Sequence, residues 1–286
     1  NIFAGNLKSG KSGLIIVVIP SLRTSVFNSY YTGIREVLED NKYQPLVGIS
    51  DYSLEKEESI ISKFLGYKPE GIIVVGTKHT KKTKEILLKS NLPLIETWDI
   101  NHRPLDLIVG FSNYEAGYNI TDYAIQKKYK KILFVTSSDR HMKVETRGRK
   151  RLEGYIDRMT KKNYRHTNFQ INDPLDYKKS GEEIFNYYKK NKSKIDCIIT
   201  FNEMTGLGFL STAIRNNINI PKDLGVASIG NAEVSNLLDF KITTINTNQY
   251  EMGKLAASKL IDRINNVPFK KRIFDVGTSL VKGSSL

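Results

Sequence analysis

Short apolar runs alternate with longer amphipathic stretches along nearly the whole chain. LIIVVI at 14–19 has no polar alternation and reads as a strand buried on both faces, whereas residues from Ser25 to Asn41 carry apolar side chains at helical spacing. The couplet then repeats. PLVGI (45–49) precedes a helix from Leu54 to Leu65, GIIVVG (71–76) precedes a helix from His79 to Ser90, and PLIET (93–97) follows. A second series opens with LIVGF (107–111) and a helix from Tyr114 to Lys127. KILFVTS (131–137) then leads to a helix from about Glu145 to Lys162. CIIT (197–200) leads into a helix from Glu203 to Asn216, and GVASIG (225–230) and TTIN (243–246) are further strands. A helix from Gln249 to Ile264, then KRIFDV (271–276) and SLVK (279–282), complete the pattern.

Strands without alternation, separated by helices, predict parallel sheets covered on both faces and joined by right-handed crossovers. The expected fold class is therefore α/β, with two doubly wound parallel-sheet units in tandem. A length of 286 residues fits two domains at roughly 150 residues each.

Composition narrows the setting. Hydrophobic residues make up 40% of the chain, enough for a packed core. The single cysteine, Cys197, lies in the apolar run DCIIT, so a buried thiol is expected and an intrachain disulfide is impossible. That agrees with a reducing, cytoplasmic location. No apolar run approaches the ~20 residues of a membrane span, and no secretory signal is visible, so no membrane partner is expected. The net charge of +14 raises the prospect of a polyanionic partner. The lysines are nonetheless scattered, at 78–84, 127–131 and 189–194 among other places, and a solvated basic surface accounts for them equally well.

In doubly wound sheets, ligands sit beyond the carboxyl ends of the strands. The loops expected there are 21–27, 51–52, 77–80, 98–99, 139–141, 202–203 and 231–233. Residues 5–12 match G-x-x-x-x-G-K-S, but that phosphate cradle needs a strand before it and a helix after it. Here a strand follows and four residues precede, so the segment reads as a connector. His79, His102, His141 and His166 are dispersed, and no metal spacing, nucleophile elbow or dinucleotide fingerprint occurs. The chain is expected to bind and not to catalyse, with no cofactor and no metal. Asp51, Glu96, Asp99, Arg151 and Asn202 stand at or near strand ends, as helix caps or as contacts to a hydroxyl-rich ligand. Trp98, the only tryptophan, reads either as a wall against a sugar ring or as core.

Several segments then carry a resemblance. LKSGKSGLIIVVIPSL, SVFNSYYTGIREVLEDNKYQPLVG, GYKPEGIIVVG, KKYKKILFVTS, RLEGY, NIPKDLGVASIG, ITTINTNQYEMGKLAASKLIDRI and VGTSLVKGSSL occur in the order of the LacI family of transcription regulators. SVF, GTKHT, LPLIETWD, LIVGFSN and the GTSL ending look most like gluconate-operon repressors. The resemblance implies a type I periplasmic-binding-protein-like fold whose two lobes are joined by crossover strands near Ser112-Asn113, Thr244 and Asp275. It divides the chain into a hinge at 1–13, an N-terminal lobe at 14–112 plus 246–274, and a C-terminal lobe at 113–245 plus 275–286.

It also implies a sugar or sugar acid held in the interlobe cleft by Ser25, Phe27, Asp99, Arg151, Asn202 and Glu203, to which the reading of the strand ends adds Asp51 and Trp98, and Asn231 after the strand GVASIG. The family's acidic group after the strand matching GVASIG is absent, and Asn231 or Glu233 would have to replace it. Asn1 to Leu7 is similar to the family's hinge helix, in which Ala4 and the wedge residue Leu7 would meet operator DNA. Seven residues with Gly5 among them are too short for a stable helix alone, so order is expected only on DNA. The DNA-reading head would precede the hinge and is not among these residues. A homodimer is implied as well. A periplasmic sugar-binding protein of a transporter shares the fold and stays open as an alternative.

Overall fold

A computed structural model of the chain describes residues 12–23, 25–100, 103–231 and 241–286, and all their side chains save Ser25 and Arg140. Two compact units result. One takes the residues up to Phe111 together with Asn248–Gly277, and the other takes Ser112–Thr247 and Thr278–Leu286.

The first unit opens with β1 (Leu14–Ile19), α1 (Ser25–Asp40), β2 (Gln44–Ile49), α2 (Leu54–Phe64), β3 (Gly71–Val75), α3 (Lys81–Ser90), β4 (Leu94–Thr97) and β5 (Leu107–Gly110). The chain then builds the second unit from α4 (Asn113–Gln126), β6 (Ile132–Ser137), α5 (Asp139–Val144), α6 (Thr146–Lys161), β7 (Thr167–Ile171) and α7 (Tyr177–Lys190). It continues there with β8 (Cys197–Thr200), α8 (Glu203–Arg215), β9 (Gly225–Ile229) and β10 (Thr243–Asn246). It returns to the first unit as α9 (Gln249–Ile264) and β11 (Ile273–Asp275), and ends in the second as β12 (Ser279–Val281).

The first sheet runs β11-β5-β4-β3-β1-β2 with every neighbouring pair parallel. The second runs β12-β10-β9-β8-β6-β7 and is parallel except for β12, which lies antiparallel to β10. This is the doubly wound α/β class that the alternation predicts, with one antiparallel edge strand added. Thr244, expected at a crossover, lies inside β10, because β10 completes the second sheet beside β9.

The central strands are apolar throughout because both faces are covered. Ile16, Val18, Ile72, Val74 and Leu94 pack with Ile61 of α2 and Leu87 of α3, while the alternate residues Ile15, Val17, Ile73 and Ile95 are equally buried. Helix starts are fixed by side chains that satisfy the first amides. Ser53 accepts from Lys56 N, Thr80 from Thr83 N, Ser112 from Glu115 N and Asn202 from Thr205 N. Each unit also crosses two helices at paired glycines. In the first, a Cβ on Gly33 would lie 2.3 Å from Tyr250 O and one on Gly253 2.1 Å from Tyr30 O. In the second, Gly117 faces Arg151 O at 2.0 Å and Gly154 faces Tyr114 O at 2.1 Å. The missing side chains let α1 meet α9, and α4 meet α6, at backbone distance.

Candidate functional site

The carboxyl ends of the strands carry different chemistry in the two units. In the first, β4 ends at Thr97 and runs into Trp98, whose φ of 68° turns the chain sharply. Trp98 is buried among Phe27 (ring centroids 4.6 Å apart), Tyr30 (5.5 Å) and Phe111 (6.3 Å). Tyr30 Oη and Thr97 Oγ1 are 2.7 Å apart, which ties α1 to the end of β4. Asp99 is buried beside this cluster, and its Oδ1 accepts from Ile100 N at 2.9 Å. A carboxylate next to a wall of rings suits a ligand with one apolar face and hydroxyls on its edge.

In the second unit the end of the sheet is cationic. Arg147 and Arg151 stand one turn apart on α6, on one face of the helix, and are only 7% and 8% exposed. The Arg151 guanidinium donates from Nε to Asn113 Oδ1 (2.9 Å) and from Nη1 to Phe201 O (2.5 Å). Arg147 donates from Nε to Glu145 Oε1 (2.5 Å) and from Nη2 to Glu145 Oε2, while Glu145 also caps α6 by accepting from Arg147 N (3.0 Å). Burial acts to raise the Glu145 pKa, but the Arg147 guanidinium beside it, with help from Arg151, holds it below the ordinary carboxylate range. In the same unit, Thr136 Oγ1, Ser137 Oγ and Thr205 Oγ1 are buried without a hydrogen-bond partner among the described residues. They lie at the end of β6 and just beyond β8, where a hydroxyl-bearing ligand would satisfy them.

Phe27, Trp98 and Asp99 gather in the first unit, and in the second Arg151 reaches Phe201 O, which directly precedes Asn202 and Glu203 at the start of α8. Asn202 caps α8 through its Oδ1 (2.8 Å to Thr205 N), and Glu203 is buried at the first position of that helix. Asn231 is half-buried just after β9, following Gly230 at φ 112°. Asp51 stands apart: it is exposed and paired with Lys56 across the turn into α2. Ser25 begins α1, and its side chain is outside the description. Ala4, Leu7 and Glu233 lie outside the described residues, as does the expectation that the hinge orders on DNA. Arg147, Glu145 and Tyr30 were not singled out from sequence, and Asn113 was named only as a crossover residue. The i, i+4 spacing of Arg147 and Arg151 was the signal that could have revealed the first.

Among the described residues, no group of three or more His, Cys, Asp or Glu is arranged to hold a metal ion, and no helix is long and apolar enough to cross a membrane.

Known proteins align with this arrangement. Residues 121–286 match the periplasmic binding protein-like domain family. The HTH-type transcriptional regulator IdnR of Escherichia coli is 24% identical over 99% of this chain and 83% of its own length. The regulator GntR of the same species is 23% identical over 98% and 83%. Among solved structures, a LacI-family transcriptional regulator from Silicibacter pomeroyi superposes with a TM-score of 0.90 at 28% identity, over 100% of this chain and 85% of that one. The transcription regulator GntR from Chromobacterium violaceum gives 0.88 at 25%, over 95% and 98%.

Proposed function

This chain belongs to the periplasmic binding protein-like family as the effector-binding domain of a LacI-type transcriptional regulator, and from that premise we propose that its effector is a gluconate-like sugar acid. The observation that carries the reading is the pair of buried guanidiniums on α6, Arg147 and Arg151, set among buried hydroxyls without partners. Glu145 already neutralises Arg147, so the cationic excess of the pair lies on Arg151, the group that would meet a ligand carboxylate, and the hydroxyls of an aldonate match Thr136, Ser137 and Thr205. Asp99 and the Trp98 cluster supply the complementary half, a carboxylate for sugar hydroxyls and rings for the carbon chain.

The effector is held in the cleft expected between the lobes. In a homodimer it biases their closure, and through the hinge around Ala4 and Leu7 it changes affinity for operator DNA. The size of that change is set by the effector's differential affinity for the two states.

A thermal-shift panel of gluconate, related aldonates, neutral polyols such as sorbitol, and neutral sugars tests this. Binding to the folded form stabilises it by about 2.7 kcal/mol at a hundredfold excess over Kd. Stabilisation by aldonates and not by sorbitol is expected. An equal response to neutral sugars, or none to any aldonate, overturns the reading.

A further inference from the structure

Away from the proposed ligand groups, the first unit buries three ionisable side chains from three elements in one cluster. Glu57 comes from the first turn of α2, His79 from the loop between β3 and α3, and Glu96 from the middle of β4. His79 Nδ1 lies 2.6 Å from Glu57 Oε1, and its Nε2 lies 3.5 Å from Glu96 Oε1. The imidazole is fully buried and both carboxylates nearly so. The second oxygen of Glu96 accepts from Leu105 N at 2.7 Å, on the far side of the β4–β5 connection. A neutral imidazole has one lone pair, and here it would point that lone pair at a carboxylate. With Glu57 hydrogen-bonded at Nδ1 and Glu96 within ion-pair distance of Nε2, the arrangement favours the imidazolium.

Three buried charges are expensive to desolvate, and an apolar cluster of similar volume would stabilise as well or better. Their position gives them a use. The cluster caps the open end of the core that α2 and α3 form on the sheet, on the same face of β4 as Leu94. Glu96 is two residues from Trp98 and three from Asp99.

We propose that His79 is a positioning residue, whose imidazolium clamps β4 and, through Glu96, the backbone at Leu105 against α2, fixing the segment that carries Trp98 and Asp99. The importance of that segment for ligand binding rests on the function proposed above; the clamp itself does not.

The other charges nearby are engaged elsewhere. On α2, Glu58 takes Thr80 Oγ1 (2.7 Å) and Lys82 Nζ (2.9 Å). On the β4–β5 connection, Asp106 takes Leu94 N (3.2 Å) and Arg263 Nε (3.2 Å). Lys78, on the loop itself, is exposed. Burial works against the charged ring, but Glu57 and then Glu96 outweigh it and carry the His79 pKa up to about 9. The pKa is raised above its unfolded value. The clamp's contribution is therefore complete below about pH 6.5 and fades as pH rises through about 9.

Trp98 is the only tryptophan, so its emission reports this segment directly. Emission is followed from pH 6 to 9.5 in the wild type, His79→Gln and Glu57→Gln, with gluconate affinity measured in parallel. The wild type is expected to show a transition with its midpoint near pH 9, His79→Gln none, and Glu57→Gln one shifted to lower pH. Gluconate affinity is expected to fall about tenfold in His79→Gln. A flat wild-type profile, or a transition that survives in His79→Gln, overturns the clamp. If His79→Gln does not fold, Glu57→Gln decides, and an unmoved midpoint counts against the proposal. If no form binds gluconate yet the emission behaves as stated, the effector assignment fails and the clamp stands.

Discussion

The two units share a scaffold and differ in what they place on it. Each is a doubly wound sheet, and each locks a pair of helices together at two glycines, Gly33 with Gly253 and Gly117 with Gly154. At the strand ends the likeness stops. The first unit offers rings and an acid, Phe27, Tyr30, Trp98, Phe111 and Asp99, with a buried ion cluster on the same strand. The second offers two guanidiniums, Arg147 and Arg151, with Glu145 and unsatisfied hydroxyls. The shared architecture therefore does not by itself define a ligand, and the two units differ in a handful of side chains at strand ends.

Changes that bear on this contrast should not weigh equally. Arg151→Ala removes a buried group that also serves Asn113 and Phe201 O, and it is expected to cost about 3 kcal/mol of binding, roughly a hundredfold in affinity for an aldonate. Gly253→Ala drives a methyl into Tyr30 O and is expected to destabilise the first unit by about 2 kcal/mol, read as a lower melting temperature. Trp98→Leu keeps the position apolar but loses the ring face, and it is expected to weaken binding about tenfold and also to lower the melting temperature, because it opens a cavity among Phe27, Tyr30 and Phe111. Asp51→Ala is the smallest. Its ion pair with Lys56 is exposed, so affinity measured by titration is expected to stay within about twofold of wild type.

What the sequence made legible follows the same physics. Strands covered on both faces stood out, and CIIT, TTIN and the helix Gln249–Ile264 begin and end at the expected residues. The unit from 163 to 196 left no such trace. Its strand, Thr167–Ile171, lies at the sheet edge with only Ile171 buried, and α7 buries Ser180, Gly181, Ile184 and Tyr188, a face with few apolar side chains. Gly181 explains that sparsity, because α7 meets the α8 backbone at Gly208 O, leaving no room for a side chain.

Among the candidate site residues, Trp98 stood out as the only tryptophan at a strand end, and Arg151 through the resemblance of RLEGY. Asp51 was equally plausible from sequence, yet it faces solvent, because no pattern distinguishes a turn carboxylate that finds a neighbouring lysine from one that faces a ligand. His79 looked like one of four scattered histidines. Its two acids are far away in sequence, and only the parallel order β4-β3-β1, with α2 and α3 on one face, brings the three together.

The most direct measurement is titration calorimetry of gluconate into the wild type and into Arg151→Ala, with sorbitol as the neutral control. A sensor of sugar acids built as described gives saturable heat with gluconate and none with sorbitol, and Arg151→Ala loses that affinity by about a hundredfold or more. No heat with gluconate or any related aldonate in the wild type, or undiminished affinity in Arg151→Ala, would contradict it.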